Sequence, residues 1–208
     1  MTLDEELDRI FAVRDRDDMQ PTIDALLPIL AEHPADARVL YELGGAYDTA
    51  GNEQTARSFY EQALQAGLTG DLLRRCYVQY GSTLRNLGEL ARSVEVFERA
   101  RQDFPDSASL AVFQAISLHA SSRFDEAVAS LLEVVAEGVE SSDVERYKPS
   151  IRGNAAYIRS LATSAQPAKQ RKLAGRDMGR SIHRSGRPDP VSVGNLQRDG
   201  PDMAANSP

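Results

Sequence analysis

The sequence predicts an all-α fold in which pairs of antiparallel helices stack into a solenoid. Three observations lead there. A pattern of small and aromatic residues recurs at intervals of 34–37 residues. Two of the recurrences carry glycine midway, at "TAGN" and "NLGEL", where a left-handed residue would end one helix before the next begins. The composition, 41% hydrophobic and 6% aromatic with no Trp, suits Ala- and Leu-rich helices better than a β-sandwich.

The pattern is clearest at residues 40–64, where Leu40, Leu43, Gly44, Tyr47, Ala56, Tyr60 and Ala63 mark two helices. Small residues stand where helix backbones approach closely, and tyrosines fill the gaps between those points. Tyr77, Tyr80, Gly81, Leu84, Ser93, Phe97, Ala100 and Pro105 reproduce the frame. Ala111, Ala115, Leu118, Ala127, Leu131 and Val134 repeat it more weakly, and Val13, Leu26, Ile29 and Pro34 only loosely. The frames start near Leu3, Ala37, Arg74 and Ala108, and the three extra residues of the second interval fall in "GLTGD", a loop. One helix pair cannot bury its own apolar face, so each must stack on a neighbour.

Taken in order, the first pair is the least regular. Ile10 and Thr22 stand where small residues are expected. Pro21 suits a first helical turn, whereas Pro28 falls in a helix body and should kink it. Ser122-x-x-Asp125 and Ser142-x-x-Glu145 read as capping boxes opening later helices. Tyr147, Ile151, Ala155, Ile158 and Leu161 have helical spacing and predict a capping helix near 143–163, with Pro149 as a candidate break. Residues 1–163 are thus read as the helical body. Residues 164–208, rich in Gly, Pro, Ser and Arg, bury too little surface to offset ordering entropy and are read as a disordered tail.

The markers match W-x₂-L-G-x₂-Y…A-x₃-F, and over about residues 3–140 the chain resembles the tetratricopeptide repeat family. The stretch "YGSTLRNLGELARSVEVFERARQDFPDS" is similar to small bacterial members that end in a polar tail. The resemblance implies a right-handed α-solenoid of about four pairs and a non-enzymatic scaffold that binds a peptide or protein segment in its concave groove. It also implies that the first helix of each pair lines that groove. The second repeat would then present Arg38, Tyr41, Gly45, Asp48 and Thr49, and the third Arg75, Val78, Ser82, Arg85 and Asn86. The fourth would present Ser109, Val112, Ile116 and His119. Members that clamp a peptide carboxylate use Lys and Asn at places held here by Leu7, Phe11, Asp15, Tyr41, Gly45 and Thr49; only Asn86 matches. Arg75, Arg85 and Asn86 still offer donors for an acidic segment, against the alternative of a solvated charged face.

Charge and motifs narrow the function further. A net charge of −7 and a pI near 5.1 argue against a nucleic-acid binder and against docking on an anionic membrane. The tail alone carries eight Lys and Arg against four Asp, so nucleic-acid contact through it stays an alternative, as does self-association as an assembly subunit. His33, His119 and His183 have no metal-ligand spacing, no nucleophile or phosphate motif occurs, and no catalytic residue, metal or cofactor is expected. Cys76 reads as a small core residue, with lowering of its pKa by Arg75 as the other reading. The acidic start "MTLDEELDRIFAVRDRDD" lacks the apolar core of a signal peptide, and no run approaches a membrane span. With one cysteine, the expected location is the cytoplasm.

Overall fold

The computed structural model describes residues 1–174, with side chains to 164. Among the described residues there are nine helices and no strand. They are α1 Leu3–Val13, α2 Gln20–Glu32, α3 Ala37–Thr49, α4 Glu53–Gln65, α5 Gly70–Asn86, α6 Leu90–Asp103, α7 Ala108–Ala120, α8 Phe124–Gly138 and α9 Ser142–Ala174. The first eight form four pairs stacked as a right-handed α-solenoid. First helices of neighbouring pairs touch, α3 with α5 and α5 with α7, and so form the inner face. Arg38 of α3 continues that face to α1 by binding Asp4 at 2.7 Å and also Asp8.

The marker residues do what their sizes require. Tyr60 and Phe97 are fully buried, as are Ala56, Ala63, Ser93 and Ala100. A Cβ on Gly44 would lie 2.6 Å from the Tyr60 ring, and one on Gly81 2.5 Å from the Phe97 ring. Glycine at these two places lets a large ring lie against bare backbone. The Ser93 hydroxyl, buried in the same layer, donates to the Gly81 carbonyl at 2.6 Å.

The turns inside the pairs repeat one geometry. Gly51 and Gly88 have φ of 77° and 79°, and Ser122 occupies the corresponding place at 60°. Each is followed by the same closing bond, from Asn52 to Tyr47, Glu89 to Leu84 and Arg123 to Leu118. This corrects the expected box at Ser122: the residue is the left-handed end of α7, and Arg123 precedes α8 without a side-chain cap. The left-handed conformation costs a non-glycine residue roughly 1–2 kcal/mol. Glycine loosens the unfolded chain by about 0.4–1 kcal/mol in the other direction. Ser122→Gly is therefore expected to stabilise by up to about 1 kcal/mol in thermal unfolding, and a lowered melting temperature would contradict that geometry.

Other expectations also need correction. Ser141, not Ser142, caps α9, its Oγ accepting from the Val144 amide at 3.3 Å. A capping box does exist at the start of the chain, between Thr2 and Glu5. α9 continues through Pro149, the candidate break, while Pro28 lies inside the body of α2 as expected. Both prolines and the residues whose carbonyls they leave free, Asp24 and Glu145, are exposed, so water replaces the lost bonds. The insertion in "GLTGD" extends α5, which begins at Gly70, ahead of the repeat frame. α9 runs to Ala174, beyond the expected end near 163. The remainder of the expected tail, 175–208, lies outside the described residues.

Candidate functional site

The inner face carries a cavity of about 230 Å³ at its N-terminal end. Its apolar floor is Leu7, Met19 and Leu26, all buried. Phe11 and Ile10 of α1 form one wall, and Tyr41, Gly45 and Thr49 of α3 the other. Three arginines line it, Arg14, Arg16 and Arg75. Among the described residues Arg14 and Arg16 have no carboxylate partner; Arg14 lies over the Phe11 ring, 3.5 Å from its centroid. Arg75 binds Asp71 of its own helix at 2.7 Å. The acid lining the cavity is Glu42, whose carboxyl burial pushes above its ordinary range although Arg38 and Arg14 pull it back.

The sequence-predicted groove residues fall into three groups. Arg75 and Tyr41 reach the cavity, but Tyr41 is 6% exposed and packs against the Tyr60 ring, so it is core rather than a presented side chain. Its place on α3 lies in the seam with α4 and α5. Arg38 and Asp48 are engaged within the protein. Arg38 is held by Asp4, Asp8 and Glu42. Asp48 accepts from the Thr83 hydroxyl at 3.0 Å, and burial pushes its carboxyl up against the pull of that bond.

Ser82, Arg85 and Asn86 lie further along α5 and do not line the cavity. Arg85 has no carboxylate partner among the described residues and makes a 3.5 Å contact with the Ser117 hydroxyl. Burial pulls its pKa down. The Ser82 hydroxyl is buried without a partner, while Asn86 is exposed.

The sequence reading missed Arg14, Arg16, Glu42 and Gln79. The first two sit in "AVRDRDD", where alternating charges look like any solvated helix end. Cys76 is fully buried, and burial pushes its thiol up to about 12, so Arg75 does not activate it. Among the described residues no group of His, Cys, Asp and Glu is placed to hold a metal ion, and no helix is long and apolar enough to cross a membrane.

Comparison with known proteins agrees with this architecture. No curated protein sequence matches the chain. Solved structures do. MamA aligns with a TM-score of 0.57 at 16% identity over 82% of this chain and 98% of that one. MamA 41-end from Desulfovibrio magneticus RS-1 gives 0.56 at 13%, over 78% and 92%. YrrB, described as a TPR protein with an unusual peptide-binding site, gives 0.55 at 17%, over 83% and 89%. The family model for the tetratrico peptide repeat matches residues 37–161, beginning at the first position of the most regular repeat. The chain belongs to the tetratricopeptide repeat family.

Proposed function

We propose that the chain is a non-enzymatic scaffold that binds an acidic peptide or protein segment on its inner face, seated in the cavity between α1, α3 and α5. The observation that carries this reading is the pairing of an apolar floor with three lining arginines, two of which have no carboxylate partner among the described residues. Such a site favours a carboxylate next to an aliphatic or aromatic side chain. The side chain enters the floor at Leu7, Met19 and Leu26, and the carboxylate meets Arg14, Arg16 or Arg75. The volume admits one or two side chains of an extended segment, not a large ligand. Family membership and the peptide-binding site named for YrrB support the reading without supplying the ligand.

Panning a random peptide library against the immobilised protein tests it. Enriched sequences should place Asp or Glu beside Leu, Ile or Phe. Charge-assisted hydrogen bonds are worth about 1.5–3 kcal/mol each, so Arg14→Ala with Arg75→Ala should weaken an enriched peptide by at least tenfold. Stability should change little, because the Arg75–Asp71 pair is exposed. Enrichment of basic peptides, or undiminished binding to the double variant, would remove this site.

A further inference from the structure

The cavity on the inner face holds one carboxylate that the protein leaves without donors. Glu42 of α3 lines it on the same helical face as Gly45 and Thr49, which follow one and two turns later. Its side chain is only 14% exposed, and among the described residues it accepts no hydrogen bond. The nearest cation is Arg38, whose Nε lies at 3.8 Å, too far for a hydrogen bond. That Nε is itself buried without a partner, while the other guanidinium nitrogens bind Asp4 and Asp8 of α1.

Half-buried carboxylates elsewhere in the fold are supplied with donors. Glu126, Glu89 and Glu61, at 18%, 27% and 31% exposure, are all more open to water than Glu42. Each nevertheless accepts two hydrogen bonds from arginine: Glu126 from Arg123, and Glu89 and Glu61 from Arg57 and Arg92. An ionised carboxylate has about four acceptor sites, and withdrawing it from water without donors costs free energy. Arg14 and Arg75 attract Glu42 across the cavity, but neither forms an ion pair or a hydrogen bond with it. The cavity therefore has a cationic pole at its arginines and an unsatisfied anionic pole at Glu42, with the apolar floor as its third part.

We propose that Glu42 receives the free N-terminal ammonium of the bound segment, so that the chain recognises a protein or peptide whose first residue is apolar and is closely followed by Asp or Glu; this rests on the acidic-segment reading of the same cavity. The parts of such a terminus match the parts of the site. The ammonium meets Glu42, the first side chain enters the floor at Leu7, Met19 and Leu26, and the acid meets the arginines. A neutral donor such as an amide or hydroxyl would bond to Glu42 but leave its desolvated charge uncompensated. An ammonium supplies the charge and three donors in one compact group. Lysine carries the same group on a four-carbon stem. A cavity of about 230 Å³ that already takes an apolar side chain and a carboxylate has little space left for that stem, and an α-ammonium needs none.

Panning two random peptide libraries against the full chain tests the proposal, one displaying its random residues at a free N-terminus and one holding them behind a constant leader. Sequences that pair an apolar residue with Asp or Glu should come from the first library only, with the apolar residue leading. The most enriched peptide is then synthesised with its N-terminus free and acetylated. Acetylation should weaken binding to the wild-type protein by about tenfold or more, the loss of a charge-assisted pair. On Glu42→Gln the same acetylation should change binding by less than about twofold, because the two changes remove one interaction. Acetylation alters only the peptide, so its effect on the wild-type protein is readable even if the variant folds poorly. Equal binding of the free and acetylated peptides would overturn the proposal. So would an undiminished loss on Glu42→Gln, or a loss that follows replacement of a lysine in the peptide instead. In those cases the acidic-segment reading stands if Arg14→Ala with Arg75→Ala still weakens the peptide. Enrichment of basic peptides, or of none, would remove both.

Discussion

Phe97→Ala is expected to destabilise the protein by about 3–5 kcal/mol, the range for deleting a buried aromatic ring. The ring is fully buried among Ala100, Leu110, Tyr77 and Phe113, contributed by α5, α6 and α7. Three helices fix the walls of the resulting void, so it collapses poorly. The position also couples the third pair to the fourth, and solenoid stability depends on such neighbour interfaces. The frame-equivalent Leu131→Ala supplies the comparison. Its side chain is 41% exposed, so it is expected to cost no more than about 1 kcal/mol. Urea unfolding followed by helical circular dichroism measures both. Equal losses at the two positions would mean that the end of the solenoid is packed like its interior.

The second large effect separates two adjacent glycines. Gly44→Ala is expected to destabilise by about 1–3 kcal/mol, the usual cost of forcing a methyl into a packed core. The new Cβ would meet the Tyr60 ring at 2.6 Å. The ring is itself fixed, with its hydroxyl donating to Gln79 at 3.1 Å. Gly45→Ala should have the opposite sign. A Cβ there meets Gln79 at 3.8 Å, an ordinary contact, and the residue lies inside α3. Alanine gains about 0.8–1 kcal/mol over glycine in a helix interior. Stabilisation by both substitutions would show that the Tyr60 ring does not press on the α3 backbone.

The same glycines show what was legible beforehand. Gly44 and Gly81 stood out because they recur in the frame with Tyr60 and Phe97, and the structure pairs each with its ring. The left-handed turns at Gly51 and Gly88 were legible for the same reason. Ser122 was misread because Ser-x-x-Asp is also a local capping signal, and only its place in the repeat identifies it as the third such turn. The groove residues were harder to anticipate. Family position alone made Arg38 and Tyr41 groove-facing. In the fold Arg38 meets Asp4 and Asp8 of α1, and Tyr41 enters a seam of rings.

The sequence by itself determined the helix pairs, their number, their small-residue contact points and the turns that join them. These are encoded locally: a glycine at a positive φ or an alanine under a ring acts within one pair or between adjacent pairs. Only the tertiary structure decided that Arg14 and Arg16 share a cavity with Arg75, because that depends on how far the inner face curves as pairs accumulate. It also decided which face of α8 receives α9. Leu131 stands in the frame where Tyr60 and Phe97 are buried, and no local pattern says whether a helix will arrive to cover it. Burial is a property of the neighbour as much as of the residue, and α9 meets α8 on the far side, where Glu133 pairs with Arg159 and Glu137 with Arg152.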